Sequence, residues 1–205
     1  MKTENYGPVG CVLIDDYLSG TSRLSGLSSF LESREVTLYT PDWQAAGDLL
    51  SALQMALQAA RAAVGGVSAI AWGTGCWAAL ALAEQLPVER LVLIDPKKVR
   101  RDAGSRADGV LFRQMVRLER FAERNLPLCV SDMLVIRPRQ PASARSKPLL
   151  CGGNRPHGRL LAVETGDLGA HKLLEIDDIK LKNGIYSFLS GGDFPKSLAE
   201  NLKCV

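Results

Sequence analysis

Several features that mark particular classes of protein are missing from this 205-residue sequence. Its five cysteines are an odd number and form no C-x-x-C pair, so the sequence predicts neither a disulfide framework nor a zinc site. We expect buried free thiols. No apolar run reaches the roughly 18 residues of a membrane span, and Met1 to Gly10 has no apolar signal-peptide core. We therefore expect a soluble, cytoplasmic protein without a metal site, a cofactor or a membrane segment.

Aromatic and acidic residues are both scarce in one long segment. Between Lys97 and Arg159 there are 15 Lys and Arg residues against 5 Asp and Glu, whereas the rest of the chain has 10 against 17. Phe112 and Phe121 are the only aromatic residues of this segment, too few to stack on successive bases, so no nucleic-acid binding is expected. The segment is either a surface for an acidic partner or a solvated, arginine-rich lid.

What the sequence does contain is a regular alternation of short apolar runs and helical segments. With 46% hydrophobic and 23% charged residues it has the composition of a globular protein, and its length fits one domain over residues 1–205. The expected strands are Val9–Ile14, Glu35–Tyr39, Val67–Ala71, Arg90–Ile94, Met133–Ile136 and Leu160–Val163. The expected helices are 22–33, 44–64 with Asp42 as N-cap, 76–85, 109–125 and 178–189 with Asp177 as N-cap.

This alternation predicts an α/β fold built on a doubly wound, mostly parallel sheet of six strands, because parallel neighbours need a crossover long enough to form a helix. Two segments stand outside the alternation. A basic, lid-like insertion is expected at about 97–126, and a Pro/Arg-rich loop at about 138–158.

One segment has the pattern of a nucleophile turn. Ala71-Trp72-Gly73-Thr74-Gly75 follows a buried strand directly and precedes a helix. Small residues two positions before and two positions after the turning residue let the strand and the helix approach each other, and the turning residue is held in strained dihedrals. Here Ala71 and Gly75 are the small residues and Gly73 is the turning residue.

From Val9 to Leu189 the chain resembles a compact α/β-hydrolase, and in particular a thioesterase that has Gly-Trp-Ser-x-Gly at this turn. The segments 78–86 and 88–95 are similar to the helix and strand that follow the turn in that family. The resemblance implies that Asp95, after the next strand, is the acid of the triad. It also implies that His171, in Gly169-Ala170-His171, is the base.

Two departures from the family pattern predict a catalytically inactive protein, or pseudoenzyme. Gly73 stands where the family has its serine, and a residue without a side chain cannot form an acyl-enzyme. The loop after the first strand, which helps to bind the oxyanion in the family, contains Asp15 and Asp16, so negative charge lies where negative charge would develop. Thr74 lies in the same oxyanion region.

Several alternatives stay open at this stage. Thr74 or Cys76 is a replacement nucleophile, or His171 activates a water, in an active thioesterase or esterase. Gly73-x-Gly75-x-x-Ala78, with Asp95 ending the next strand, also fits a dinucleotide-binding fingerprint. Asp95 can instead simply cap a turn before Pro96, and His171 can be a packed loop residue. His157 is expected on the surface.

The basic segment suggests what such a protein binds. Arg113, Arg117, Arg120 and Arg124 follow one another at spacings of four, three and four, so one helical face presents them together. In the family that the chain resembles, this region covers the cleft, and carrier-linked thioesterases dock an acidic carrier protein. An acidic carrier protein or an acyl- or phosphate-bearing small molecule is therefore the expected partner.

Overall fold

The structure is a computed structural model that describes residues 9–19, 22–100, 109–124, 128–138, 156–165, 178–192 and 194. The strands are β1 (Gly10–Ile14), β2 (Thr37–Tyr39), β3 (Val67–Trp72), β4 (Val88–Ile94), β5 (Val130–Pro138) and β6 (Leu160–Thr165). The helices are α1 (Ser25–Glu32), α2 (Trp43–Ala46), α3 (Leu49–Val64), α4 (Gly75–Gln85), α5 (Gly109–Ala122) and α6 (Ile179–Leu189).

The six strands form one sheet in the order β2-β1-β3-β4-β5-β6, and every neighbouring pair is parallel. After β1 the chain moves outward to β2 and then returns to the other side of β1 as β3. Such a reversal leaves a crevice at the carboxyl ends of the two central strands, which is where ligands bind in open α/β sheets. The fold therefore points to the ends of β1 and β3 as the place to look for a site.

Two apolar layers cover the sheet, one on each face. Helices α3, α4 and α5 pack with alternate strand residues on one face, and α1 and α6 pack with the intervening residues on the other. Within β3, Ala71 faces the first layer and Trp72 faces the second. The predicted doubly wound parallel sheet is thus confirmed.

Helix α4 is buried on all sides, since every residue from Gly75 to Ala83 is inaccessible to solvent. Its sequence alternates alanine with larger apolar side chains, so it can pack on the sheet beneath while α3 and α5 contact it from the sides and above. A helix that is apolar all round is stable only in such surroundings. The burial of α4 holds the turn that precedes it in a rigid setting.

Several of the expected helix boundaries are wrong, since α1 begins at Ser25 and not at residue 22, and α5 ends at Ala122. The segment 44–64 is not one helix but two, because Gly47 adopts φ +80° and ends α2, and the Asp48 side chain accepts a hydrogen bond from Ser51 N and begins α3. Asp42 caps only the short α2. The N-cap of α6 is Asp178, whose carboxylate accepts from two backbone N–H groups of the first turn.

Part of the predicted organisation lies outside the described residues. Residues 101–108, 125 and 126 of the predicted lid-like insertion, and most of the Pro/Arg-rich loop, belong there. In the described part of the chain no helix is long and apolar enough to cross a membrane.

Candidate functional site at the carboxyl ends of β1, β3 and β4

The turn after β3 is held by hydrogen bonds to the end of the neighbouring strand. Gly73 adopts φ +60°, a left-handed conformation that L-residues with a side chain rarely take. Its N–H donates to Ile94 O at 2.9 Å, and its carbonyl accepts from Lys97 N at 3.2 Å and from Cys76 N at 3.4 Å. The geometry is that of a sharp strand-to-helix turn with residue 73 at its apex.

The carboxylate of Asp16, in the loop after β1, lies directly against this apex. A Cβ built on Gly73 would lie 2.8 Å from Asp16 Cγ and closer still to Oδ2, well inside van der Waals contact. The Thr74 hydroxyl donates a hydrogen bond to Asp16 Oδ1, and Leu18 N donates to the same oxygen at 3.3 Å. Asp16 is buried, so its charge is satisfied within the site and not by solvent.

The charge of Asp16 has a second source of stabilisation in the fold. Thr74 is the N-cap residue of α4 and provides no hydrogen bond to the first turn of that helix. A negative charge at the N-terminus of a helix is stabilised by the helix dipole, typically by about 0.3–1 kcal/mol when exposed and by more when partly buried. Asp16 therefore supplies the anion at this helix end.

The loop after β1 also explains why residue 75 is a glycine. A Cβ at Gly75 would lie 3.1 Å from the backbone carbon of Asp15 and nearer to its carbonyl oxygen. The start of α4 therefore packs directly on the main chain of this loop. The Asp15 side chain accepts a hydrogen bond from Asp16 N at 2.8 Å.

Asp95 follows β4 and is held in an unusual conformation. It is buried and adopts φ +45°, while its N–H donates to Ile136 O at 2.8 Å. A non-glycine residue in the left-handed region carries strain of about 1–3 kcal/mol, and such residues cluster at functional sites. The backbones of Ile94 and Lys97 are both hydrogen-bonded to Gly73, so Asp95 lies in the short segment that holds the turn in place.

The Cys76 thiol, in the first turn of α4, is shielded from solvent. Its Sγ is 3.4 Å from Ala71 O and 3.6 Å from Ile94 O, and the residue is completely buried. Burial raises the pKa of the Cys76 thiol far above its usual range, and the charges of Asp95 and Asp16 raise it further. The thiol is therefore protonated and has little nucleophilic character.

The structure thus brings together Gly73, Thr74, Asp15, Asp16 and Asp95, all from the expected set. His171 lies outside the described residues, so its relation to Gly73 and Asp95 stays a prediction. His157 is exposed at the surface, and its backbone N–H donates to Val130 O at 2.8 Å.

One feature of the site was not anticipated. The ring of Trp72, the last residue of β3, has Lys97 Nζ 5.0 Å and Arg23 Cζ 5.7 Å from its centroid. The Lys97 carbonyl in turn accepts a hydrogen bond from Trp77 Nε1 at 2.6 Å. Sequence gives little signal for this cluster, because its members come from the ends of three different elements.

The four arginines expected to bind a partner, Arg113, Arg117, Arg120 and Arg124, are all exposed. Arg113, Arg117 and Arg120 lie on the side of α5 opposite the buried Leu111, Met115 and Leu118. Arg124 follows the helix, with its guanidinium 5.9 Å from the Phe121 ring. Among the residues that the structure describes, no group of three or more His, Cys, Asp or Glu side chains is arranged to hold a metal ion.

Compared by sequence, the chain matches no protein-family model and no curated protein. Compared by structure, it is similar to one of the metagenome-derived lipolytic enzymes LipS and LipT (TM-score 0.65, 14% identity, 90% of this chain and 95% of that chain covered). It is also similar to the carboxylesterase CesB from Bacillus subtilis (TM-score 0.55, 13% identity, 90% and 85% covered).

A third similar structure is the NocB thioesterase domain in covalent complex with a fluorophosphonate nocardicin G analogue (TM-score 0.50, 16% identity, 84% and 89% covered). Identities this low show a shared fold and do not show a shared activity. The chain therefore has the α/β-hydrolase fold, with Gly73 at the apex of the turn that follows its central strand β3.

Proposed function

We propose that this chain is a cytoplasmic α/β-hydrolase-fold protein without hydrolase activity, which binds an acidic protein partner or an acyl- or phosphate-bearing ligand. The observation that carries the proposal is the contact between Asp16 and Gly73. Residue 73 has no side chain, and the space that a nucleophile would occupy is filled by the Asp16 carboxylate. Loss of a triad nucleophile alone lowers kcat by about a millionfold.

The other nucleophiles at the site support the same proposal. The Thr74 hydroxyl is buried and donates a hydrogen bond to Asp16, so an acyl carbonyl has no open approach to it. The Cys76 thiol is buried with a raised pKa. Neither group offers an exposed, activated oxygen or sulfur to a substrate.

The electrostatics of the site also oppose acyl transfer. A tetrahedral intermediate needs hydrogen-bond donors aimed at its oxyanion. The Asp16 carboxylate, at the start of α4, already accepts the hydrogen bonds of the Thr74 hydroxyl and of the Leu18 N–H. These donors are therefore not available to an oxyanion. A second negative charge placed there would be repelled, and the same repulsion argues against a dinucleotide pyrophosphate bound at Gly73.

The partner is suggested by the exposed arginines of α5. Arg113, Arg117 and Arg120 give one helix face three positive charges, and an acidic surface would be drawn to it at low salt. The resemblance to carrier-linked thioesterases makes an acidic carrier protein the first candidate.

A second candidate function rests on the hydrogen bond from Thr74 to Asp16. A hydroxyl that donates to a buried carboxylate is a nucleophile beside a base, the arrangement of an activated threonine. In this alternative the chain is an esterase or thioesterase that uses Thr74, with Asp16 as the base.

Assays with short acyl esters, acyl thioesters and a fluorophosphonate probe separate the two functions. We expect no covalent labelling and no turnover above background in the wild-type chain. Turnover abolished by Thr74→Ala but retained in Cys76→Ala would establish the threonine esterase instead. Turnover that survives both substitutions would also overturn the proposal, in favour of a water activated elsewhere in the site.

A further inference from the structure

The two charge types at the carboxyl edge of the sheet are separated by the sheet itself. Asp16 accepts a hydrogen bond from Thr74, the N-cap residue of α4. The charges of Asp16 and Asp95 both raise the pKa of the Cys76 thiol in that helix. Trp72, with Arg23 and Lys97 over its ring, packs on the opposite face with α1 and α6. The edge therefore has a buried acidic part, Asp16 and Asp95, and an exposed cationic part, Arg23 and Lys97.

Lys97 is fixed in position by its backbone. Its N–H donates to Gly73 O at 3.2 Å, and its carbonyl accepts from Trp77 Nε1 at 2.6 Å. The main chain of this residue is thus tied both to the turn and to α4. These bonds fix the point from which the side chain of Lys97 projects, and its Nζ lies over the ring of Trp72.

The ammonium group of Lys97 is exposed and, among the described residues, forms no ion pair with a carboxylate. Lys98, its neighbour in sequence, differs from it in pairing with a carboxylate, since its Nζ lies 3.2 Å from Glu123 Oε1. Arg23 comes from the loop that leads into α1 and reaches the same indole from another direction. Two cations from separate loops thus converge on one aromatic ring at the switch point of the sheet.

We infer that Lys97 and Arg23, held over the ring of Trp72, form a binding site for the anionic group of a small carboxylate or phosphate ligand. This inference rests on the proposed function. It gives a binding role to a site in which the Asp16 carboxylate occupies the space of the nucleophile. The start of α4 is already occupied by the Asp16 carboxylate. The anionic group of a ligand is accordingly held at the cationic part, where an ammonium and a guanidinium both donate to oxygen.

The test is a calorimetric titration of the full chain with sodium phosphate and, separately, with sodium octanoate at constant ionic strength. We expect saturable binding of at least one probe at a single site. Phosphate alone would identify a phosphate-bearing ligand, octanoate alone an acyl carboxylate, and both a site for either oxyanion.

Substitutions then assign the site. Lys97→Gln and Arg23→Gln should each weaken binding about tenfold, the usual effect of losing one hydrogen bond to a charged group. Lys97→Arg should keep most of the affinity, because it keeps the charge. Lys98→Gln is the matched control and should bind as the wild type does, since that ammonium pairs with Glu123. Melting temperatures of all variants verify that they are folded.

The inference is overturned if neither probe binds, if Lys97→Gln and Arg23→Gln bind normally, or if Lys98→Gln weakens binding as much as Lys97→Gln. The last result would mean that only overall charge attracts the anion. None of these results would restore a nucleophile, so the proposed lack of hydrolase activity would stand. Conversely, ester turnover by the wild type would overturn the proposed function and leave the anion site in place.

Discussion

The Asp16 carboxylate fills the space into which a side chain at position 73 would project, because its Cγ lies 2.8 Å from a Cβ built on Gly73. The loop after β1 therefore packs directly against the turn after β3. In a hydrolase the same space is held by the nucleophile, so the absence of a side chain at Gly73 and the presence of Asp16 are two parts of one arrangement. They should be coupled energetically.

The first prediction measures that coupling by urea unfolding. Gly73→Ser should lower the free energy of unfolding by the strain of a side chain at positive φ, about 1–3 kcal/mol, and by a further amount for displacing Asp16. Gly47→Ser is the matched control, because Gly47 has φ +80° and a Cβ there would meet nothing within 4 Å. It should show the strain alone.

A thermodynamic cycle with Asp16→Gly completes this test. The double variant with Gly73→Ser should be more stable than the sum of the single effects predicts, by about 0.5–3 kcal/mol. Equal losses in Gly73→Ser and Gly47→Ser, together with additive effects in the cycle, would contradict the coupling. Gly73→Ser alone should also gain little esterase activity, because the carboxylate of Asp16, although displaced, stays beside the turn and opposes an oxyanion.

The sequence allowed the sheet and the position of the turn to be predicted because both depend on local patterns. Buried parallel strands are short apolar runs, and a sharp strand-to-helix turn needs small residues around it. The break at Gly47-Asp48 had a signal, a glycine followed by a capping residue, but the continuing leucine spacing of α3 concealed it.

The contacts that define the site had no such local signal. Asp16 was expected in the oxyanion region, yet its packing on Gly73 depends on how two loops meet across adjacent strands. The positive φ of Asp95 is a strain imposed by its surroundings on a residue that does not favour it. The cations over Trp72 come from segments far apart in the chain.

The second prediction concerns the thiols. Burial raises the pKa of Cys11 to about 12 and that of Cys76 further, whereas Cys129 is only partly buried. In the native protein, iodoacetamide should modify Cys11 and Cys76 at least about a hundredfold more slowly than in urea, because a reactive thiolate requires local opening. Peptide mass spectrometry over time measures each site, with Cys129 as the internal comparison. Rapid native alkylation of Cys76 would show that this thiol is available for chemistry after all.

The third prediction concerns pH and the cap of α3. Hydrogen bonds from the Ser51 hydroxyl and backbone lower the pKa of Asp48 from its usual value of 3.8. A carboxyl whose pKa is lower in the folded state stabilises the fold above its unfolded pKa, and this contribution is lost as the pH falls through the folded value. Asp48→Ala should therefore cost about 1 kcal/mol at neutral pH and less in strong acid.

Urea unfolding from pH 7 down to about pH 2.5 measures the difference between Asp48→Ala and the wild type. Ser51→Ala is the control, since it removes the hydroxyl that donates to Asp48 Oδ2 at 2.6 Å. It should bring the pKa of Asp48 back toward 3.8, so that the stabilisation disappears at a higher pH than in the wild type. A destabilisation by Asp48→Ala that is the same at every pH would mean that the charge plays no part in the cap.

The last prediction concerns the arginine face of α5. If Arg113, Arg117 and Arg120 dock an acidic carrier protein, their charges act mainly on the rate of encounter, which falls as salt shortens the Debye length to about 8 Å at physiological ionic strength. The variant Arg117→Glu/Arg120→Glu should therefore slow association with an acidic acyl carrier protein at least about tenfold at low salt and remove most of the salt dependence. Biolayer interferometry across a salt series gives both quantities.

The control reverses two exposed charges on the opposite face of the sheet, Arg34→Glu/Lys180→Glu, and so changes the net charge of the chain by the same amount. If only net charge attracts the carrier, the two double variants will slow association equally, and α5 is not the docking surface. If the carrier binds the wild type without any dependence on salt, electrostatic docking is excluded altogether. A large effect on association that is confined to the α5 variant identifies α5 as the docking surface. Such a result depends on the position of the charges, because the net charge is the same in both variants.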